Sequence, residues 1–190
     1  VRCCTQNGVR GGSATVHFPI WHQEIEDILV LKNNKGTEDN RVRKLDYSIQ
    51  ITKLFYERFI KNDDITLFSP NHVPGLYEAF GMPEFDSLYL KYEKDKSIPK
   101  QTIGAQDLFQ ALLKERAETG RIYIMNLDHC NTHSSFKDKV YMSNLCQEIT
   151  LPTTPVQHID DKEGEIALCI LSAVNLGLLT DMNELEELCD

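Results

Sequence analysis

Apolar positions along this chain recur at two periods, and the switches between them mark out its elements. Residues 1–12 show no period and read as a loop, with Gly8, Gly11 and Gly12 opening backbone conformations closed to other residues. Ser13 to Phe18 alternates as a strand does and stops at Pro19. From Trp21 to Leu31, Ile25, Ile28 and Leu29 keep helical spacing, with acids near the start. Lys32 to Arg43 is polar, with turn signals at Asn33-Asn34 and Lys35-Gly36. It reads as a binding loop, a lid or a solvated connection. Leu45 to Ile60 is predicted as an amphipathic helix, because Ile49, Thr52, Phe55, Tyr56 and Phe59 fall in phase and Asp46 can cap it. Asp64 to Phe68 is a short strand ended by Ser69-Pro70.

Further on, Gly75–Phe80 and Phe85–Tyr92 are short helices parted by Gly81 and Pro83. Thr102 to Thr119 is a long helix, with Leu108, Ala111, Leu112 and Arg116 in phase and Gly120 as its stop. Arg121–Leu127, Gln147–Leu151 and Glu165–Val174 read as strands, Pro152 to Lys162 as a loop, and Asp181–Leu188 as an acidic helix. Helices alternating with strands predict an α/β fold with much parallel sheet.

Composition narrows the function. The chain has 190 residues, 41% hydrophobic and 26% charged, enough for one globular domain with a core. A net charge of −9 argues against a nucleic-acid binder but leaves room for a small phosphorylated ligand held by backbone N–H groups. The longest apolar stretch, Ile166 to Leu179, is broken by Ser172, Asn175 and Gly177. It falls short of the ~20 residues that span a bilayer, so no membrane is expected. No signal peptide is visible, and the chain starts at Val1 within what looks like an element; it reads as a piece of something longer. The six cysteines, Cys3, Cys4, Cys130, Cys146, Cys169 and Cys189, show no compact spacing. They suggest reduced thiols in the cytoplasm, with Cys130 and Cys189 as small buried hydrophobes.

Three polar side chains at alternate positions carry candidate chemistry: Asn144, Cys146 and Glu148. In an extended segment all three project to one side, with Leu145, Gln147 and Ile149 on the other. An amide can hold a hydroxyl, a thiol can carry a radical or attack, and a carboxylate can take a proton. A purely structural strand accounts for the pattern equally well. Cys169 sits in an apolar run, Ile166 to Val174, and alone reads as a core cysteine. The glycine-rich Gln6-Asn-Gly-Val-Arg-Gly-Gly12 alone reads as a flexible turn with a solvated arginine. Asp128-His-Cys-Asn-Thr-His133 hints at zinc, but a zinc site draws on two separated clusters and no second one is present; no metal is expected.

Taken in order, these segments and Val30-Leu-Lys-Asn-Asn34, Thr66-Leu-Phe-Ser-Pro70 and Val73-Pro-Gly-Leu-Tyr77 resemble the large, catalytic subunit of class I ribonucleotide reductase along nearly the whole chain. The resemblance implies a ten-stranded α/β barrel whose finger loop carries a radical cysteine into the centre, with residues 1–190 as the incomplete middle of that catalytic domain. It implies reduction of ribonucleoside diphosphates to deoxyribonucleoside diphosphates. Cys146 would be the transient thiyl, Glu148 the base on the 3′-hydroxyl, Asn144 the holder of the ribose hydroxyls, and Cys169 one half of the reductive dithiol. The partner cysteine belongs to a family strand lying before Val1, and Cys3 and Cys4 align with the loop instead. Gln6, Arg10, Gly11 and Gly12 would form the loop linking effector to substrate choice, with His129 and its neighbours in a structural hydrogen-bonding role.

No cofactor is implied on the chain itself. A small subunit with a dimetal-tyrosyl centre would supply the radical, dNTP or ATP would act as effectors, and thioredoxin or glutaredoxin as reductant, in a homodimer of large subunits. The rival readings are a cobalamin-dependent reductase and a catalytically inactive nucleotide-binding or assembly module. A thiol hydrolase fits worse, since no histidine pairs obviously with Cys146. Because much of the family subunit has no counterpart here, the isolated chain is expected to be inactive and to leave sheet edges open to aggregation.

Overall fold

A computed structural model describes residues 5–189; Cys3, Cys4 and the side chain of Gln6 lie outside the described residues. The strands are β1 (Thr5–Gln6), β2 (Arg10–Gly11), β3 (Thr15–Pro19), β4 (Asp46–Ile51), β5 (Asp64–Phe68), β6 (Lys100–Gly104) and β7 (Ile122–Asn126). The helices are α1 (Ile25–Leu29), α2 (Lys53–Lys61), α3 (Leu76–Ala79), α4 (Phe85–Lys94), α5 (Ala105–Thr119), α6 (Leu127–Thr132) and α7 (Glu184–Cys189). Two compact units result, Val1–Thr153 and Thr154–Asp190.

In the first unit β3, β4 and β7 form a parallel sheet with β4 in the middle. The expected mixed α/β character with parallel pairing is present. No closed barrel forms among the described residues, whose three sheets have two, three and two strands. Register decides the sheet's two faces. Val16 and Phe18 align with Tyr47 and Ile49, and those with Ile122 and Ile124. This apolar face packs into a core that also holds Trp21, Phe55, Phe68, Phe80 and Tyr89. The other face presents Thr15 and His17, Asp46, Ser48 and Gln50, then Tyr123 and Met125.

The helix expected over Leu45–Ile60 is corrected: Asp46–Ile51 is the central strand, buried along its whole length, and only Lys53–Lys61 is helical. Asp-Tyr-Ser-Ile-Gln-Ile alternates strictly, and pairing on both sides outweighs the accidental helical phase of Ile49 with Thr52, Tyr56 and Phe59. Lys100–Gly104, partly assigned to the following helix, is β6, captured by antiparallel pairing with β5. The helix expected over Trp21–Leu31 shrinks to one short turn of structure, Ile25–Leu29. The opening loop closes as a hairpin between β1 and β2, with Asn7 and Gly8 both at positive φ (50° and 70°), the backbone such tight reversals need.

Neither Gln147–Leu151 nor Glu165–Val174 forms a strand. The second run is exposed in its unit, with Ile166, Leu168, Ile170 and Leu171 between 74% and 93% accessible. An all-apolar strand is stable only when covered on both faces, and no strand among the described residues pairs with it. The second unit is otherwise a loop closed by the Thr154–Glu165 bridge, followed by α7.

Around the sheet, α2 and α5 meet through Phe55, Phe59 and Phe109. Arg58 forks onto Glu93 with two 2.6 Å bonds, and Thr66 donates to the same carboxylate. Gly120 ends α5 in the left-handed region at φ 71°, as its glycine predicts.

Candidate functional site

The polar face of the sheet is a docking floor for one segment, residues 139–150. Val140 is fully buried. Its N–H donates to Asn131 Oδ1 at 2.8 Å, and its carbonyl accepts from Asn131 Nδ2 at 3.0 Å. The Tyr141 carbonyl accepts from Gln50 Nε2 at 2.5 Å. The Leu145 carbonyl accepts from Thr15 Oγ1 at 2.6 Å. Gln147 spans two strands: its Oε1 accepts from Ser48 Oγ at 2.6 Å, and its Nε2 donates to the Ile124 carbonyl at 2.8 Å.

Between these anchors the chain reverses. Gln147 N donates to the Asn144 carbonyl at 3.2 Å, Asn144 N to the Ile149 carbonyl at 3.2 Å, and Ile149 N to Asn144 Oδ1 at 3.1 Å. Gln147 takes a left-handed backbone, φ 66°. The extended arrangement expected for Asn144, Cys146 and Glu148 is therefore corrected to a tight turn, because local bonds from Asn144 offer the backbone a better alternative than a ladder. Asn144 spends its carbonyl oxygen closing the turn, while its Nδ2 donates to none of the described residues. Cys146 and Glu148 are exposed. The three candidates still share one loop of a few residues, with the thiol and carboxylate turned outward.

Arg10, Gly11 and Gly12 lie at the end of the β1–β2 hairpin, and Arg10 and Gly11 are exposed. That hairpin runs directly into β3, whose Thr15 holds the Leu145 carbonyl. The strand that follows the glycine-rich loop is thus tied to the 139–150 turn through the Thr15 hydroxyl. Cys169 is exposed and belongs to the second unit.

Beside Gln147 an open cavity of about 390 Å³ is lined by Ile124, Asn126, His129, Cys130, His133 and Thr150, among others. His129 and His133 meet edge to face at 5.7 Å. Burial pushes the Cys130 thiol up from its ordinary value, and Asp128 adds to this. Among the described residues no three His, Cys, Asp or Glu side chains are grouped to hold a metal. His17 shares the polar face, with both ring nitrogens buried and unpartnered. Burial lowers its pKa, partly opposed by the Ser143 backbone near the ring.

Sequence reasoning missed the floor. Thr15, Ser48, Gln50 and Asn131 carry no chemistry that sequence reasoning recognises, and Gln147 reads only as the start of a strand, facing away from the three candidates. The alternation of Ser48 and Gln50 with Tyr47, Ile49 and Ile51 was the available signal.

The family profile described as ribonucleotide reductase, barrel domain, matches residues 1–190. The chain belongs to the ribonucleotide reductase barrel-domain family. Among curated relatives, the ribonucleoside-diphosphate reductase subunit alpha of Haemophilus influenzae is 60% identical over 188 residues, 96% of this chain and 25% of that protein. The subunit alpha of Buchnera aphidicola subsp. Schizaphis graminum is 58% identical over 193 residues, 99% of this chain and 25% of that protein. The ribonucleoside-diphosphate reductase 1 subunit alpha of Escherichia coli is 59% identical over 161 residues, 82% of this chain and 21% of that protein. The chain spans about a quarter of the length of the first two relatives. Among the described residues of this ribonucleotide reductase segment, no helix is long and apolar enough to cross a membrane.

Proposed function

We propose that this chain forms the central part of the catalytic barrel of a ribonucleoside-diphosphate reductase large subunit, with β3, β4 and β7 as strands of a ten-stranded barrel and residues 139–150 as its finger loop. The observation that carries the reading is the tight turn laid on a polar sheet face, with Cys146 and Glu148 exposed at its tip.

Replacing a 2′-hydroxyl by hydrogen is hard because hydroxide leaves an unactivated carbon poorly. A radical at C3′ lowers that barrier once the 3′-hydroxyl gives up its proton. Cys146, as a thiyl, takes the C3′ hydrogen atom. Glu148 accepts the 3′-hydroxyl proton. Asn144, through its free Nδ2, orients the ribose hydroxyls. The 2′-hydroxyl departs as water, and two electrons with two protons come from a dithiol that closes to a disulfide, Cys169 supplying one of its thiols; Cys146 then returns the hydrogen atom to C3′ and is a thiyl again, and Glu148 returns the proton to the 3′-hydroxyl. Gln6, Arg10, Gly11 and Gly12 meet the nucleotide through guanidinium and backbone N–H donors, and Thr15 relays their position to the turn. A dimetal-tyrosyl small subunit supplies the radical, thioredoxin or glutaredoxin restores the dithiol, and deoxynucleotides or ATP act as effectors on a dimer of large subunits.

The test is diphosphate reduction by the full-length subunit carrying this segment, with a radical-bearing small subunit and a dithiol, wild type against Cys146→Ser. Loss of turnover in the variant supports the thiyl role. Equal turnover in both, or nucleotide binding without turnover in the wild type, refutes it.

A further inference from the structure

The stem of the finger loop carries an aromatic cluster that the chemistry above does not use. Tyr141 stacks on Tyr77, centroids 6.1 Å apart and planes 19° from parallel. Lys139 Nζ sits 4.3 Å from the centre of the Tyr141 ring, within the range of a cation–π contact. The same ammonium donates to the carbonyls of Tyr77 and Glu78 in α3. Meanwhile the Tyr141 carbonyl is held by Gln50, and Val140 between the two side chains is clamped by Asn131. The stem is therefore gripped from the sheet, from α6 and from α3, five residues before the reacting thiol.

We propose that Lys139, Tyr141 and Tyr77 form a positioning clamp that fixes the finger turn for reaction. This rests on the reading of Cys146 as the reacting thiol. Lys139 and Tyr141 touch no reacting atom in it; they act through the stem. The clamp works in its charged form, because neutral lysine has no cation to lay on the ring. Burial pulls the Lys139 pKa down to about 8, against the pull of Glu78 and Glu84. The titratable groups facing it are Tyr77 and Glu78 on α3, Glu84 ahead of α4, and Tyr141 on its own segment. The clamp consequently opens as pH rises through the range near 8.

The test uses the full-length subunit with its small subunit, following kcat and KM from neutral to alkaline pH. Wild type is expected to lose kcat through pH about 8 with KM little changed. Lys139→Arg, whose guanidinium stays charged and also stacks on aromatic faces, is expected to hold its activity there. Lys139→Met and Tyr141→Ala are expected to lower kcat at neutral pH by about tenfold or more, the scale of small misplacements of a reacting group. Tyr141→Phe should restore most of what the alanine loses. Superimposable pH profiles for wild type and Lys139→Arg, or a wild-type kcat in Lys139→Met, would overturn the clamp. A second readout needs no turnover: amide exchange over residues 141–150 at alkaline pH should be faster in wild type than in Lys139→Arg. Equal exchange refutes the clamp even if the wild type reduces nothing, an outcome that by itself would fail only the reading of Cys146.

Discussion

Removing the side chain of Asn131 tests whether the finger stem is held by the few bonds that the structure assigns to it. Asn131 makes three: Nδ2 to the Leu127 carbonyl at 3.0 Å, Nδ2 to the Val140 carbonyl at 3.0 Å, and Oδ1 from Val140 N at 2.8 Å. Val140 is fully buried, so Asn131→Ala leaves a buried N–H and a buried carbonyl without partners. Each orphaned group costs about 1–3 kcal/mol. Allowing for the freed rotamer entropy, the loss should be about 2–4 kcal/mol. With a urea slope of about 2 kcal/mol per molar, the midpoint should fall by about 1–2 M at unchanged slope. The lone tryptophan, Trp21, is 1% exposed and edge-on to Phe80, so its fluorescence reports the core directly. Asn131→Asp keeps the acceptor for Val140 N but turns a carboxylate oxygen toward two carbonyls. Its folded pKa should rise above the unfolded value. The variant's stability should then be greatest below the ordinary Asp pKa of about 4 and fall as pH rises through the raised folded value. A loss below about 1 kcal/mol for the alanine, against the cost expected of orphaned groups, or an aspartate variant as stable as wild type at neutral pH, would refute the reasoning.

Two glycines with similar backbones should respond differently. Gly81 has φ 83°, and an added Cβ would meet Leu127 Cγ at 2.7 Å and Asn131 Nδ2 at 3.1 Å, so Gly81→Ala should cost about 2–4 kcal/mol from strain and overpacking. Gly120, φ 71° with open space around it, should cost about 1 kcal/mol on the same change; equal losses in the two urea titrations would contradict this. For Glu93, burial acts to raise the pKa, but hydrogen bonds from Arg58 and Thr66 outweigh it and hold the carboxyl below its ordinary value. Its contribution is present above the ordinary Glu pKa and lost as pH falls through the depressed one, so Glu93→Gln should flatten the acid limb of stability below pH ~4; an unchanged limb would contradict the pairing. The exposed run Ile166–Leu171 should make the isolated chain aggregate with concentration, and Leu168→Lys with Ile170→Lys should suppress this in light scattering. A cooperative, scatter-free melt of the unmodified chain would count against it.

What the sequence revealed about the fold follows how local each cause is. Asp64–Phe68, α4 and the end of α5 at Gly120 are set by short-range signals, namely Ser69-Pro70, periodic apolar residues and a glycine in the left-handed region. Leu45–Ile60 failed because two periods overlap in it. Tyr47, Ile49 and Ile51 keep period two, while Ile49, Thr52, Tyr56 and Phe59 imitate a helix. Which period prevails is decided by β3 and β7, distant in sequence, that pair on either side. Lys100–Gly104 is a similar case, settled by β5. Glu165–Val174 errs in the opposite sense: the residues suit a doubly buried strand, and the described residues offer nothing to bury it.

The finger turn shows why residue types were legible there and geometry was not. Asn144, Cys146 and Glu148 stand out because an amide, a thiol and a carboxylate at alternate positions together offer chemistry, and the match to the rest of the chain tips the balance from a structural strand. Gln147 passed as filler facing away, yet the turn depends on it. A glutamine at φ 66° occupies a region that costs an L-residue about 1–2 kcal/mol. Two side-chain hydrogen bonds, from Ser48 and to Ile124, each contribute about 0.5–1.5 kcal/mol and offset that cost. The reversal thus exists only where the sheet's polar face meets it, and Ser48 lies 99 positions away. Glycine at 147 would relieve the backbone and release both anchors, so relaxed strain and a loosened turn would come together. The residue that shapes the loop is legible only once the floor beneath it is known.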